Sequence, residues 1–213
     1  MREVRRGTRL CDIAWDCAGP ATPVSCAVLD GVVCDLRDCV WEDGQVTFPV
    51  AGSPEGGRVL LHTAAHVVAQ AAKRLFPEAT LGRDPRSLDV FQVDLEVGIP
   101  LGESDLAAIQ LEVERIIGED LPIERLTLSK GDARARLIRR GEILKLEVLE
   151  AIDSPFVTIY EHGEFSDLCH GPHLLSTGQL PLVRLVSIED VAWQNDPGAE
   201  RLSRLSGVFA GTE

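Results

Sequence analysis

Leu61-His62-Thr63-Ala64-Ala65-His66 is the stretch from which the fold can be predicted, because it places His-x-x-x-His inside a run that predicts a helix from about residue 60 to 75. At 3.6 residues per turn, positions i and i+4 share one helix face, so both imidazoles point the same way. A second motif, Asp167-Leu168-Cys169-His170-Gly171-Pro172-His173, is Cys-x-x-x-His at the exit of a predicted strand. Four of the chain's five histidines fall in these motifs, which predicts a functional site rather than a half-buried helical pair.

The four side chains His62, His66, Cys169 and His173 offer three imidazoles and one thiol. This is the ligand set that a tetrahedral Zn²⁺ prefers, with Zn–N distances of about 2.0 Å and a Zn–S distance of about 2.3 Å. We call these residues the His-His-Cys-His quartet. They are a candidate zinc site, and the sequence leaves metal occupancy open.

The length and the absence of targeting signals indicate an ordinary globular protein of one large domain or two small ones. No apolar run reaches the roughly 18 residues of a membrane span, and Met-Arg-Glu-Val-Arg-Arg at the start leads into no apolar signal core. We therefore expect a cytoplasmic protein. Five of the six cysteines lie between Cys11 and Cys39 without a Cys-x-x-Cys pair, which favours reduced, buried thiols over a zinc ribbon.

The net charge of −13 is unfavourable for a general nucleic-acid binder, because phosphate contacts need Lys and Arg. A local patch would suffice, and residues 130–140 are the best candidate for it, with Lys130, Arg134, Arg136, Arg139 and Arg140. The alternative interpretation of this run is a solvated helix face.

Two units are predicted along the chain. Residues 1–54 contain short β-rich runs separated by turn signals such as Asp30-Gly31, with one amphipathic helix over 9–18. A linker over 51–57 leads to a second unit, 58–213. There we expect helices over 60–75, 104–117 and 131–140, strands over 88–95, 143–149 and 181–188, a hairpin of 156–160 with 164–168, and a short helix in the polar tail from Asn195. Ser104 and Gly118 are the expected caps of the second helix, and Lys145 lies on the strand 143–149. The fold class is α+β.

These motifs resemble the editing domain of threonyl-tRNA synthetases, also called the second additional domain. The resemblance rests on the paired histidines, the segment carrying Lys145, the hairpin Tyr160-Glu161-His162-Gly163-Glu164-Phe165 and the Cys169 loop, in that order. Residues 1–54 resemble the small β-grasp (TGS) module that precedes this domain. The resemblance implies a β-grasp module followed by a two-layer α+β editing domain, with helices packed on an antiparallel sheet.

The implied activity is hydrolysis of the ester that joins a wrong amino acid to the terminal adenosine of tRNA(Thr). One methyl group discriminates by only about 1–3 kcal/mol, so serine leaks past a threonine pocket and a second hydrolytic site is required. By resemblance, Lys145 contacts the terminal ribose or positions water, and Asp167 holds the substrate amino group. The quartet either holds Zn²⁺, which lowers the pKa of bound water towards about 7, or orients substrate and water directly.

This chain departs from the family at several substrate-facing positions. Val90-Phe91 stands where the family usually has a Tyr pair, and His170 stands where Arg is common after the cysteine. We expect Val90, Phe91, His170 and Gly171 to bind substrate. The lost hydroxyl leaves the preferred substrate open between serine and a threonine analogue. The segment Ala192-Trp193-Gln194-Asn195-Asp196 also lacks the family's arginine.

Four interpretations stay open at this level. The chain ends at Glu213 before any aminoacylation domain, and the divergent Trp193 segment with the Met1 start favours a freestanding enzyme that acts in trans on the tRNA acceptor end. The others are the N-terminal editing part of a synthetase, an alanyl-type deacylase and a non-catalytic tRNA-binding module. Gly171-Pro172-His173 favours the threonyl branch, because the alanyl proteins typically have Cys-x-x-Thr-His. We expect no DNA and no membrane partner.

Overall fold

The computed structural model of the chain describes residues 2–18, 24–82, 90–196 and 198–210. In this part of the chain the helices are α1 (Leu10–Ala18), α2 (Pro54–Leu75), α3 (Glu103–Glu119), α4 (Lys130–Arg139) and α5 (Ile143–Glu150). The strands are β1 (Arg2–Val4), β2 (Ala27–Leu29), β3 (Val32–Cys34), β4 (Gly44–Thr47), β5 (Thr80–Leu81), β6 (Phe91–Glu96), β7 (Glu124–Ser129), β8 (Phe156–His162), β9 (Phe165–Leu168), β10 (Val183–Ala192) and β11 (Arg201–Phe209). This mixture of helices with antiparallel sheets confirms the α+β fold class.

The N-terminal module is a four-stranded sheet of order β1-β4-β2-β3, in which every pairing is antiparallel. The β2–β3 hairpin turns at Asp30-Gly31, both with positive φ (47° and 86°), as a two-residue hairpin turn requires. Helix α1 closes one face through the fully buried Leu10. The assignment to the β-grasp fold and the boundary at residue 54 stay predictions.

Helix α2 begins earlier than the predicted residue 60, so residues 54–57 are helical rather than linker. The Ser53 hydroxyl accepts a hydrogen bond from the Gly56 amide at 3.1 Å, and Pro54 occupies the first turn, where its missing N–H costs nothing. Gly56 is required by space, because a Cβ there would lie 2.0 Å from the Val50 carbonyl oxygen. Gly56 therefore marks close packing at a helix start.

The rest of the described chain holds two antiparallel sheets, of order β10-β11-β6-β5 and β7-β8-β9. Helices α2 and α3 pack on the first sheet, where Val67 and Ile109 are buried with Leu95 and Leu205. This packing confirms the prediction of two helices on an antiparallel sheet. Helices α4 and α5 pack on the second sheet, in a separate cluster around Ile159.

The predicted strand 143–149 is wrong, because Lys145 lies on helix α5. The segment consists largely of Leu, Lys and Glu, which are strong helix formers. Its apolar residues alternate because the helix is buried on two sides. Leu144 packs with Trp193 and Leu202, while Leu149 packs on the β7-β8-β9 sheet. A short run that is apolar on two helix faces cannot be distinguished from a strand by periodicity.

The predicted tail helix is also wrong, because residues 201–209 form β11 in the middle of the four-stranded sheet, between β10 and β6. The charge of Arg204 in the middle of this strand is compensated by a carboxylate on the neighbouring strand. The guanidinium of Arg204 makes two hydrogen bonds, of 2.7 and 2.8 Å, to the carboxylate of Asp94 on β6. The predicted caps of α3, Ser104 and Gly118, are also wrong. Gly102 is the N-cap, and the helix continues past Gly118 to Glu119.

Among the described residues, none of the helices combines the length and apolar character that crossing a lipid bilayer requires.

Candidate active site

The His-His-Cys-His quartet converges at one point between α2 and the loop that follows β9. Its four candidate ligand atoms all lie within 4.8 Å of one another. The Cys169 Sγ atom is 3.0 Å from His62 Nε2 and 3.3 Å from His173 Nε2. The His62 and His66 ring centroids lie 4.1 and 4.2 Å from that of His173. The structure therefore brings together side chains more than a hundred residues apart.

Thr63 fixes the orientation of the His173 ring. Its hydroxyl donates to the Val59 carbonyl at 2.8 Å and accepts from the Leu174 amide at 3.1 Å. The contact of 3.3 Å with His173 Nδ1 must therefore be a hydrogen bond donated by the ring. Nε2 then carries the lone pair, on the side of Cys169. Complete burial and the neighbouring imidazoles hold the pKa of His173 well below its usual value, which favours this neutral form.

Lys145 and Asp167 form a buried ion pair beside the quartet. Lys145 Nζ lies 2.8 Å from Asp167 Oδ2, and their side chains are only 3% and 2% exposed. The same carboxylate oxygen is 3.6 Å from His66 Nε2. The two residues that the resemblance implied as catalytic thus share one wall of the site with the paired histidines.

Helix α5, which carries Lys145, is held in place by the Trp193 segment. The Trp193 indole N–H donates to Glu147 Oε2 at 2.8 Å, and the Gln194 amide donates to the same oxygen at 3.2 Å. The Trp193 ring also packs against Leu144, the neighbour of Lys145. The segment around Trp193 therefore supports the helix that presents the lysine.

The loop after Cys169 turns at Gly171, whose φ is +66°. The Gly171 amide donates to Cys169 Sγ at 3.2 Å, and a Cβ on this residue would lie 2.1 Å from the hydroxyl oxygen of Tyr160. Glycine is needed here for both the backbone conformation and the space. The next residue back, His170, is exposed on the same loop.

The other predicted binding residues lie elsewhere in the fold. Phe91 is buried in the main core at the start of β6, with its ring centroid 6.2 Å from that of Phe209, and Val90 precedes it half-buried. A role for these two residues in substrate binding stays a prediction, as does one for His170 and Gly171.

The predicted basic patch lies on α4, where several of its cations pair with acidic groups. Arg134 contacts Glu150 at 3.1 Å, and Arg136 forms an ion pair with Glu161. Lys130 Nζ lies 4.0 Å from a carboxylate oxygen of the same Glu150. These pairings reduce the positive charge that the patch can offer to phosphate, which supports the interpretation as a solvated helix face.

The quartet fits a metal ion of the zinc type in its donor chemistry. Three imidazole nitrogens and one sulfur converge from two elements, and Thr63 already orients His173 with its lone pair on the cluster side. A hydrogen bond to the far nitrogen of a ligating histidine is the usual support in zinc sites. The residues present could therefore hold Zn²⁺.

Sequence analysis missed three residues that support the site: Thr63, Asp35 and Arg37. Thr63 stands inside the quoted helix motif, so its position beside His62 was a usable signal. Asp35 and Arg37 belong to the N-terminal module and contact the backbone of His173, at separations of 138 and 136 residues. No spacing rule connects positions so far apart.

Comparison with known proteins agrees with this geometry. Residues 157–202 match the family described as the threonyl and alanyl tRNA synthetase second additional domain. Threonine–tRNA ligase 2 of Bacillus subtilis (strain 168) is 41% identical over 181 residues, which are 84% of this chain and 28% of that protein. Threonine–tRNA ligase of Bacillus velezensis is 38% identical over 210 residues, 98% of this chain and 33% of that protein. The enzyme of Rubrobacter xylanophilus is 38% identical over 213 residues, again 33% of its length.

The chain thus spans about a third of the length of these curated relatives. The matched segment contains Tyr160, Asp167, Cys169, His173 and Trp193. Residues 157–202 therefore match the second additional domain family of threonyl- and alanyl-tRNA synthetases, and most of the chain is similar to part of the threonine–tRNA ligases of bacteria.

Proposed function

We propose that this chain is an aminoacyl-tRNA deacylase that hydrolyses the ester of mischarged tRNA(Thr). The observation that carries the proposal is the convergence of the His-His-Cys-His quartet on one point, beside the buried pair of Lys145 and Asp167. Ester hydrolysis needs an oriented water, an oriented substrate and a stabilised oxyanion. The site offers a group for each of these tasks.

The roles follow from charge and orientation. Asp167 is a buried carboxylate that accepts hydrogen bonds from the α-ammonium group of the aminoacyl moiety. Lys145, at 2.8 Å from Asp167 Oδ2, places a cation where negative charge develops on the ester oxygen or the terminal ribose. In the metal-free alternative, neutral His173 accepts a hydrogen bond from the attacking water through its Nε2 lone pair, which faces the cluster; with Zn²⁺ bound, the same nitrogen would be a ligand instead. Zn²⁺, when held by the quartet, would supply a Lewis acid that acidifies bound water.

The substrate assignment follows from the limits of discrimination by size. A threonine pocket distinguishes serine by one missing methyl group, worth about 1–3 kcal/mol, so serine is the expected error on tRNA(Thr). A threonine analogue is the alternative, because Phe91 supplies no hydroxyl where the family usually has tyrosine. The proposed partner is the acceptor end of tRNA(Thr), and the proposed location of the reaction is the cytoplasm.

Action in trans is part of the proposal. The six side chains to which the proposal gives a chemical role all lie in this chain. An excised or linked synthetase domain would use the same groups, and the purified chain tests both forms.

The test is deacylation of three substrates by the purified chain: Ser-tRNA(Thr), Thr-tRNA(Thr) and Ala-tRNA(Ala). We expect serine to be released from tRNA(Thr) about 10-fold or more faster than threonine, from the size of one methyl difference. His62→Ala should abolish the release. Equal rates on all three substrates would contradict the assignment, and preferred release of alanine would establish the alanyl-type alternative. Equal rates of amino-acid release by wild type and His62→Ala would favour the interpretation as a non-catalytic tRNA-binding module.

A further inference from the structure

Arg37, in the loop after β3 of the N-terminal module, binds backbone carbonyls of the second unit. Its Nη1 donates to the His173 carbonyl at 3.2 Å, and its Nη2 donates to the Leu174 carbonyl at 2.7 Å. Its Nε donates to the Ile123 carbonyl at 2.9 Å. The planar guanidinium thus holds the end of the Cys169 loop against the segment that enters β7. A lysine has no fixed fork of donors to make these contacts together.

Asp35 contacts the same loop from the other side of His173. Its side chain is 2% exposed, and its Oδ2 accepts from the Tyr160 hydroxyl at 2.9 Å and from the His173 amide at 3.4 Å. Its Oδ1 accepts from Arg37 Nη1 at 2.9 Å. The backbone of His173 is therefore contacted at its N–H by Asp35 and at its carbonyl by Arg37.

These contacts determine where the His173 ring lies. The Tyr160 ring, whose hydroxyl is tied to Asp35, stands 4.5 Å from the His173 ring at an angle of 61°. Thr63 contacts the Nδ1 edge of the same ring. A shift of the His173 backbone would move Nε2 away from Cys169. A displacement of about 1 Å in a catalytic geometry can cost about 100-fold in rate.

The two units have a second link that does not involve this loop. Arg125 on β7 pairs with Asp38 at 2.6 Å, with both side chains about a quarter exposed. The Arg125–Asp38 pair therefore helps to attach the N-terminal module to the second unit at a different place, whereas Asp35 and Arg37 both contact His173 or Leu174.

We propose that the N-terminal module is a working part of the hydrolytic site, in which Asp35 and Arg37 are positioning residues for His173. The proposal rests on the deacylase function above. Neither residue contacts substrate; each acts through the backbone of the loop. The module thus does more than precede the editing domain in the chain.

The test compares Arg37→Met, Arg37→Lys and Asp35→Asn in the full chain, with Arg74→Met as the matched control. Arg74 is also a partly buried arginine with several partners, on Glu112, Glu119 and Glu164, and it contacts none of residues 169–174. We expect Arg37→Met to lower kcat by about 100-fold and to change KM by about twofold or less, because the residue does not contact substrate. Arg37→Lys should fall between Arg37→Met and wild type.

Amide hydrogen exchange gives a readout that does not depend on deacylation. The His173 amide donates to Asp35, and the Leu174 amide donates to Thr63. Both should exchange faster in Arg37→Met and Asp35→Asn, and as in wild type in Arg74→Met. Asp35→Asn keeps the side-chain shape, so it tests the idea even where Arg37→Met fails to fold.

The outcomes separate the two proposals. An inactive wild type with the expected exchange pattern would overturn the deacylase function alone. Wild-type kcat in both Arg37→Met and Asp35→Asn would overturn the positioning role. Loss of kcat without faster exchange at residues 173 and 174, or an equal loss in Arg74→Met, would overturn it as well.

Discussion

Replacing Lys145 by Met should destabilise the protein strongly, because it leaves the carboxylate of Asp167 buried without its cation. Both side chains are at most 3% exposed, and their charged atoms are 2.8 Å apart. Removing one partner of such a pair typically costs about 3–5 kcal/mol, whereas replacing both charges costs far less. Methionine keeps most of the apolar stem of lysine, so the packing around this buried side chain changes little.

The double variant isolates the electrostatic cause. Lys145→Met with Asp167→Asn removes both charges, and we expect it to recover most of the lost stability, to within about 1–2 kcal/mol of wild type. Urea unfolding measures both effects. With an m value of about 2–3 kcal/mol/M, the single variant should lower the midpoint by about 1–2 M. Deacylation should be lost in both variants, so the double variant separates stability from activity.

Two results would refute this reasoning. A single variant as stable as wild type would show that Asp167 is not held as a buried charge. A double variant less stable than the single one would show that Lys145 and Asp167 stabilise the fold through their hydrogen bonds rather than by neutralising each other's charge.

Three further predictions test other parts of the account. Gly171→Ala should reduce deacylation by about 10-fold or more, because a φ of +66° and the contact with the Tyr160 hydroxyl both oppose a side chain; initial rates measure this. Trp193→Phe removes the hydrogen bond to Glu147 and should lower kcat severalfold with little change in KM, as steady-state kinetics would show. Burial lowers the pKa of His162 to about 4, so the unfolded chain binds the proton first. The free energy of unfolding should therefore fall by up to about 3 kcal/mol as the pH drops from 6.5 to 4, and His162→Gln should lack this decline in urea titrations at several pH values.

The local part of the site could be predicted from the sequence. Helix α2 follows from apolar periodicity, and the i, i+4 spacing places His62 and His66 on one face. The approach of Cys169 and His173 to that face is a tertiary contact, which spacing alone does not determine. Its expectation rested on the resemblance to a family, and the geometry now agrees with it.

The secondary structure of two segments could not be read from pattern. Helix α5 is buried on opposite sides by two clusters, which imitates the alternation of a strand. Strand β11 carries Arg204, whose charge predicts an exposed position. In the fold it is instead paired with Asp94 on β6. In both cases the deciding neighbour lies far away in the chain.

The contacts of the N-terminal module with the site could not be predicted from the sequence pattern either, because the partners lie far apart in the chain. Asp35 and Arg37 stand in an ordinary loop after a hairpin, and nothing in their neighbourhood marks them. Their partners are mostly backbone groups of His173, Leu174 and Ile123, which leave no trace in side-chain identity. Only the assembled fold brings Asp35 and Arg37 against the backbone of residues 173 and 174.

The central claim is that the quartet acts as one hydrolytic centre, and single-turnover release of serine from Ser-tRNA(Thr) tests it most directly. The comparison is between wild type, Cys169→Ala and Cys39→Ala, the last being an exposed cysteine of the N-terminal module. We predict that Cys169→Ala loses about 100-fold or more of the rate, while Cys39→Ala stays at the wild-type rate. Equal rates in all three proteins would contradict the account.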